Sequence, residues 1–206
     1  MSKIDLTRSF PEYYKGSTQP ILINLDPLYY LSISDQSSPE SEKFTGAIEA
    51  IYPMAFGIKR ASKEHGRDFV VPKMEAQWWV ESDIPFNEVP KEEWHWKILI
   101  PMPNFVDIKI YLTAKQKVLE QTGNQRVQDI TFEQLDESKV VQAMHIGSYD
   151  AEEATIKKLL GFMDQNQLKM NGYHHEIYIS DPRRTAADKL KTIIRYPVTS
   201  IKVEEV

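Results

Sequence analysis

The chain has 206 residues, 41% of them hydrophobic and 27% charged, with a net charge of −5. That suits one large globular domain or two small fused halves, and it speaks against a basic nucleic-acid-binding face. There is no cysteine, which excludes disulfides, thiol nucleophiles and thiolate metal sites. No apolar run reaches the length of a signal peptide or a membrane span, so a cytoplasmic protein without membrane contact is expected.

Residues 1–20 carry Pro11, Gly16 and Pro20 and show no sustained period, which predicts an N-terminal arm. A single domain over 21–206 is expected to follow. Ile21 to Ser34 alternates weakly and reads as a strand. A helix is predicted from about Glu42 to Glu64, with Ile48, Ile51, Ala55 and Ile58 at helical spacing and Pro53 as an interruption. Phe69 to Val80 and Glu93 to Pro101 read as two strands. Phe105 to Gln121 reads as a short strand and a helix from Thr113, inside a linker over 104–138.

The second half repeats this order. Lys139 to Ile146 is a strand, and Asp150 with Glu153 matches a capping box opening a helix to about Asn166. Tyr173 to Ser180 and Leu190 to Pro197 are the last strands. The chain therefore reads as α+β: two βαββ repeats, about 21–103 and 139–200, with antiparallel sheets and a ligand groove between the halves.

Strand alternation puts His174, Glu176 and Tyr178 on one face and His175, Ile177 and Ile179 on the other. A carboxylate among apolar and aromatic neighbours is costly unless something pairs with it or uses it, which makes Glu176 the first candidate for a working residue. It is expected to look into the groove if the other face packs under a helix. His174 and His175 point opposite ways and cannot easily grip one ion, and no HExxH motif accompanies them, so no metal is expected. Trp94 and Trp96 share a face, and Trp78 and Trp79 oppose each other. Trp79 and Trp96 are the favoured ring contacts for a planar ligand. Tyr52 and Phe56, four apart on the first helix, are read as a wall of the groove. Tyr149, after a Gly-Ser turn, could offer its hydroxyl to a ligand. No cofactor is expected; haem ligation by His145, His174 or His175, suggested only by analogy with a related fold, ranks last.

Three strings carry a resemblance: Val141-Gln142-Ala143-Met144-His145-Ile146-Gly147-Ser148-Tyr149-Asp150, His174 to Arg183, and Leu190 to Val198. With Ile51-Tyr52, Ala55 to Lys59, Trp78-Trp79 and Trp94-His95-Trp96, they resemble the stand-alone branch of the GyrI-like small-molecule-binding family. The resemblance implies two βαββ repeats about a pseudo-two-fold axis and a groove for small aromatic, cationic or electrophilic molecules. It makes Glu176 the groove carboxylate, and Phe56 stands where that branch has Tyr. Three functions follow as expectations. The first is a small-molecule binder. The second is a hydrolase opening strained cyclopropane-type electrophiles, with Glu176 activating water and Tyr52 positioning the ligand. The third is a protein-interaction module such as a gyrase modulator. A small molecule is the expected partner and nucleic acid is not; no oligomeric state is assigned.

Overall fold

The computed structural model describes residues 3–201; Met1, Ser2 and residues 202–206, the outer ends of the expected arm and domain, lie outside them. In chain order the elements are α1 (Leu6–Ser9), α2 (Pro11–Tyr14), β1 (Ile21–Asn24), β2 (Leu28–Gln36), α3 (Glu42–Glu64), β3 (Glu75–Trp79), β4 (His95–Met102), α4 (Ile108–Thr122), β5 (Thr131–Leu135), β6 (Lys139–Ile146), α5 (Glu153–Gln165), β7 (Leu168–Met170), β8 (His174–Tyr178) and β9 (Lys191–Ser200). The fold is α+β, and the chain divides into two compact units. One comprises the residues up to Ser9 with Leu28–Leu135, and the other comprises Phe10–Pro27 with the residues from Asp136 onward. The expected arm is thus shared between the two.

In the first unit β4 pairs with β2 and β3, and β2 also pairs with β5, all antiparallel. The helix α3 spans the range that its periodicity predicts, with Phe44, Ala47, Ile51, Met54, Ile58 and Ala61 buried at successive helical spacings. Ser41 caps it, its Oγ accepting a hydrogen bond from the Phe44 N–H at 3.1 Å. Pro53 lies within the helix without ending it. A Cβ at Gly57 would stand 2.5 Å from the Val118 side chain, so any larger residue there would force α3 and α4 to shift. The expected strand in 105–121 is absent: Asp107 caps α4, which begins five residues earlier than Thr113. The expected linker contributes α4 and β5 to this unit.

In the second unit β9 is flanked by β6 and β8, β1 pairs with β6, and β7 continues the β8 edge along the end of β9. The predicted strand over Ile21 to Ser34 is two strands, broken at Leu25-Asp26-Pro27; proline has no N–H to give to a ladder. The predicted capping box does not form: α5 begins at Glu153, with Glu152 at the cap position and no side-chain cap bond. One sheet face packs on α5 through Val141, Ala143, Ile194, Tyr196 and Val198 against Leu159 and Met163.

The opposite face carries a buried polar network. Arg195, wholly buried, lies 3.9 Å over the Tyr13 ring. It donates to Gln142 Oε1 at 2.9 and 2.7 Å and to the Tyr13 carbonyl at 2.9 Å. Glu137 accepts from Arg195 at 3.5 Å and meets His175 Nδ1 at 2.7 Å. A buried guanidinium is tolerated only when its donors are taken up in this way. The network fastens residues 10–27 to the second unit.

Candidate functional site

The alternation along β8 is as predicted: His175 and Ile177 are buried, while His174, Glu176 and Tyr178 are partly buried on the other face. Glu176 stands opposite Ile194 on β9, so this is the face that α5 packs against. The condition for Glu176 is that the His175 set pack under a helix; that set instead faces the Arg195 network.

At the start of α5, Glu152 is brought to Glu176. Glu152 is only 6% exposed, and its Oε1 has no hydrogen-bond donor. Burial, the Glu176 charge and a hydrogen bond to Glu176 push its carboxyl up to about 10, with a further contribution from Asp150. Placing a second carboxyl beside Glu176 in such surroundings is costly, which favours the neutral form of Glu152 when no cation is bound there.

His174 completes the group. Its Nε2 lies 2.9 Å from Glu176 Oε1 and its Nδ1 lies 2.7 Å from the Tyr196 hydroxyl. The Glu176 side chain retains 12% of its exposure. Tyr149 and Tyr178 stand edge to face, 5.8 Å between ring centres. Burial pushes the Tyr149 phenol up to about 12, aided by the charges of Glu176, Glu152 and Asp181. Burial and the two glutamates raise Tyr196 as well. Both hydroxyls are therefore held as donors. Glu152, His174 and Glu176 offer three ligand atoms within 4.8 Å of one another, close enough to hold a metal ion. Sequence reading does not foresee that grouping.

Glu176, Tyr149 and Tyr178 belong to this one cluster. Tyr52, Phe56, Trp79 and Trp96 belong to the first unit. Phe56 is exposed on α3 and Tyr52 is half-buried there. Trp79 is half-buried and stacks on His95 at 5.4 Å. Trp96 is wholly buried, edge-on to Phe44 at 5.2 Å, and its indole N–H donates to Ser37 Oγ at 3.0 Å, so it packs as core. Alternation gives the side of the strand but not which side α3 seals. Glu152 and Tyr196 are the residues that sequence reading missed, since neither stands in a motif with Glu176.

Residues 18–199 match the GyrI-like small molecule binding domain. The chain belongs to this family. Crystal structures of proteins from Listeria innocua resemble it over 96% of its length and 100% of theirs. An uncharacterized conserved protein is 28% identical with a TM-score of 0.90. A hydrolase is 27% identical with a TM-score of 0.85. A hydrolase encoded by lin2189 is 26% identical with a TM-score of 0.88. No curated protein matches the sequence. Among the described residues no helix is long and apolar enough to cross a membrane.

Proposed function

We propose that this GyrI-like domain binds small aromatic or electrophilic molecules at the Glu152–Glu176 pair and hydrolyses those that carry a strained ring. The observation that carries this reading is the buried Glu152 carboxyl set beside Glu176, its acid form favoured by burial, and bordered by Tyr149, Tyr178 and Tyr196. Such a pair supplies a base and an acid side by side. The rings offer faces for a planar ligand. Hydrolysis is favoured over binding alone because two of the similar Listeria innocua structures are hydrolases.

In this reading Glu176 is the base. It takes a proton from water, the hydroxyl bonds to the strained carbon, and the ring carbon–carbon bond opens toward a conjugated carbonyl oxygen. That oxygen then takes a proton from solvent, and Glu176 later releases its own, so the sum is the addition of one water. Tyr149 donates a hydrogen bond to a ligand oxygen as negative charge grows there.

All four tryptophans lie in the first unit, so calorimetry and product mass report on this site better than tryptophan fluorescence. A cyclopropane fused to a conjugated ketone, incubated with the protein, is expected to gain the mass of one water. Glu176→Gln is expected to cut the rate by about 100-fold or more while the compound still binds. Unaltered compound with measurable binding would leave a binder without turnover. Neither binding nor turnover across a panel of such ketones and planar cations would remove the proposal.

A further inference from the structure

We propose that Glu152, His174 and Glu176 form a binding site for one divalent transition-metal ion of the zinc class. Each residue offers one ligand atom, and the three atoms lie within 4.8 Å of one another. They come from two elements. His174 and Glu176 share one face of β8, and the cap position of α5 lays Glu152 against Glu176. The observation that singles this group out is the state of Glu152. The residue is only 6% exposed, and its Oε1 has no hydrogen-bond partner. An oxygen buried in that way is costly unless something positive meets it. An ion held through one or both oxygens of Glu152 supplies that partner. The surroundings favour a cation. Glu176, Glu152 and Asp181 all act on Tyr149, and Asp150 acts on Glu152. All four are acidic, and Asp181 alone of them is paired with an arginine, Arg183, at 2.9 Å.

His174 is mounted as a ligand. Its Nδ1 lies 2.7 Å from the Tyr196 hydroxyl and its Nε2 lies 2.9 Å from Glu176 Oε1. A metal-bound imidazole gives the N–H of its other nitrogen to an oxygen, which fixes the ring. The Tyr196 phenol keeps its own proton and still has lone pairs to accept that bond. Nε2 is then left for the ion, next to a carboxylate oxygen. Two donors about 2.1 Å from a zinc ion stand about 3.4 Å apart at the tetrahedral angle, so Glu176 Oε1 needs an outward movement of about half an ångström. One imidazole with two carboxylates suits a transition metal better than calcium, which takes about six to eight oxygens. Three protein ligands leave a fourth position for water or for a ligand oxygen. With the ion bound, Glu176 is a ligand and no longer a free base. The inference therefore goes beyond the hydrolase reading and does not rest on it.

The probe is zinc chloride, titrated by calorimetry into the chelator-treated full chain at neutral pH. The wild type is expected to bind one ion at the three residues. His174→Gln and Glu152→Gln are each expected to weaken it on the order of 100-fold, and Tyr196→Phe, which leaves the ligands in place, about tenfold. No binding below millimolar zinc, or full affinity in both ligand variants, would overturn the proposal. If the variants fold poorly, anomalous scattering from zinc-soaked wild-type crystals decides. A peak bounded by Glu152, His174 and Glu176 is expected, and a peak only at other residues would overturn the proposal. In the hydrolysis assay above, saturating zinc is expected to slow the wild type and chelator to restore it. Zinc bound at these residues in a protein that never turns over the ketones would uphold the site and refute the hydrolase. Turnover by a protein that binds no zinc would do the reverse.

Discussion

The strands β3 and β8 can be compared directly. Each is five residues long, follows the unit's long helix, and pairs antiparallel with the strand after it. On β3 the face toward the helix carries Trp78, and the first turn of α3 covers it with Phe44 at 5.2 Å, beside Trp96. On β8 the face toward the helix carries His174, Glu176 and Tyr178, and the head of α5 brings Glu152 instead. Similar strand placements thus carry a sealed aromatic core in one unit and a largely buried acidic cluster in the other. The difference lies in a few side chains at a helix start and on one strand face.

The largest break in that comparison is Trp96→Ala. It removes a wholly buried indole and its bond to Ser37, so unfolding in urea is expected to show a loss of about 3–5 kcal/mol, while ligand binding at Glu176 persists in the folded fraction. Next comes Glu152→Gln. The Glu152 carboxyl titrates far higher when folded than when unfolded. The folded state therefore binds the extra proton, and this contribution is complete below the unfolded carboxyl range and is lost progressively as pH rises toward about 10. The wild type should lose stability between about pH 5 and about pH 9, whereas Glu152→Gln, which keeps a donor without a charge, should flatten that slope and gain on the order of 1–3 kcal/mol at the alkaline end. Chemical denaturation across pH in chelator measures both; a wild type with no such slope would contradict a neutral Glu152. The smallest effect is at the helix starts. Ser41→Ala should cost about 1 kcal/mol, because α3 depends on that cap. The head of α5 has no side-chain cap to lose.

Much of this was readable in advance where the signal is local. The periodicity of α3 predicts Glu42–Glu64, and the bounds of β6 and the alternation of β8 follow from side-chain pattern alone. The proline at 27 marks the break between β1 and β2, although weak alternation across it suggests one strand. What sequence withholds is which face gets covered. Trp96 and Glu176 both look like groove residues, and only the packing of Phe44 in one case and Glu152 in the other separates them. Asp150 and Glu153 offer a plausible cap, which hides Glu152 between them. Glu152 and Tyr196 join Glu176 through strand pairing and helix packing, from positions with no recognisable spacing. The short strands β5 and β7 are too brief to leave an alternating trace.

The bond from Arg195 to the Tyr13 carbonyl spans 182 positions of chain. As the polypeptide leaves the ribosome, residues 10–27 emerge early and must wait for β6 and then β9 before they have anything to hold. The first unit, nearly continuous from Leu28 to Leu135, can assemble during that interval. Closing so long a loop is entropically slow, so the docking of residues 10–27 should be among the last steps of folding. A chain truncated before β9 would leave the Tyr13 segment without its anchor.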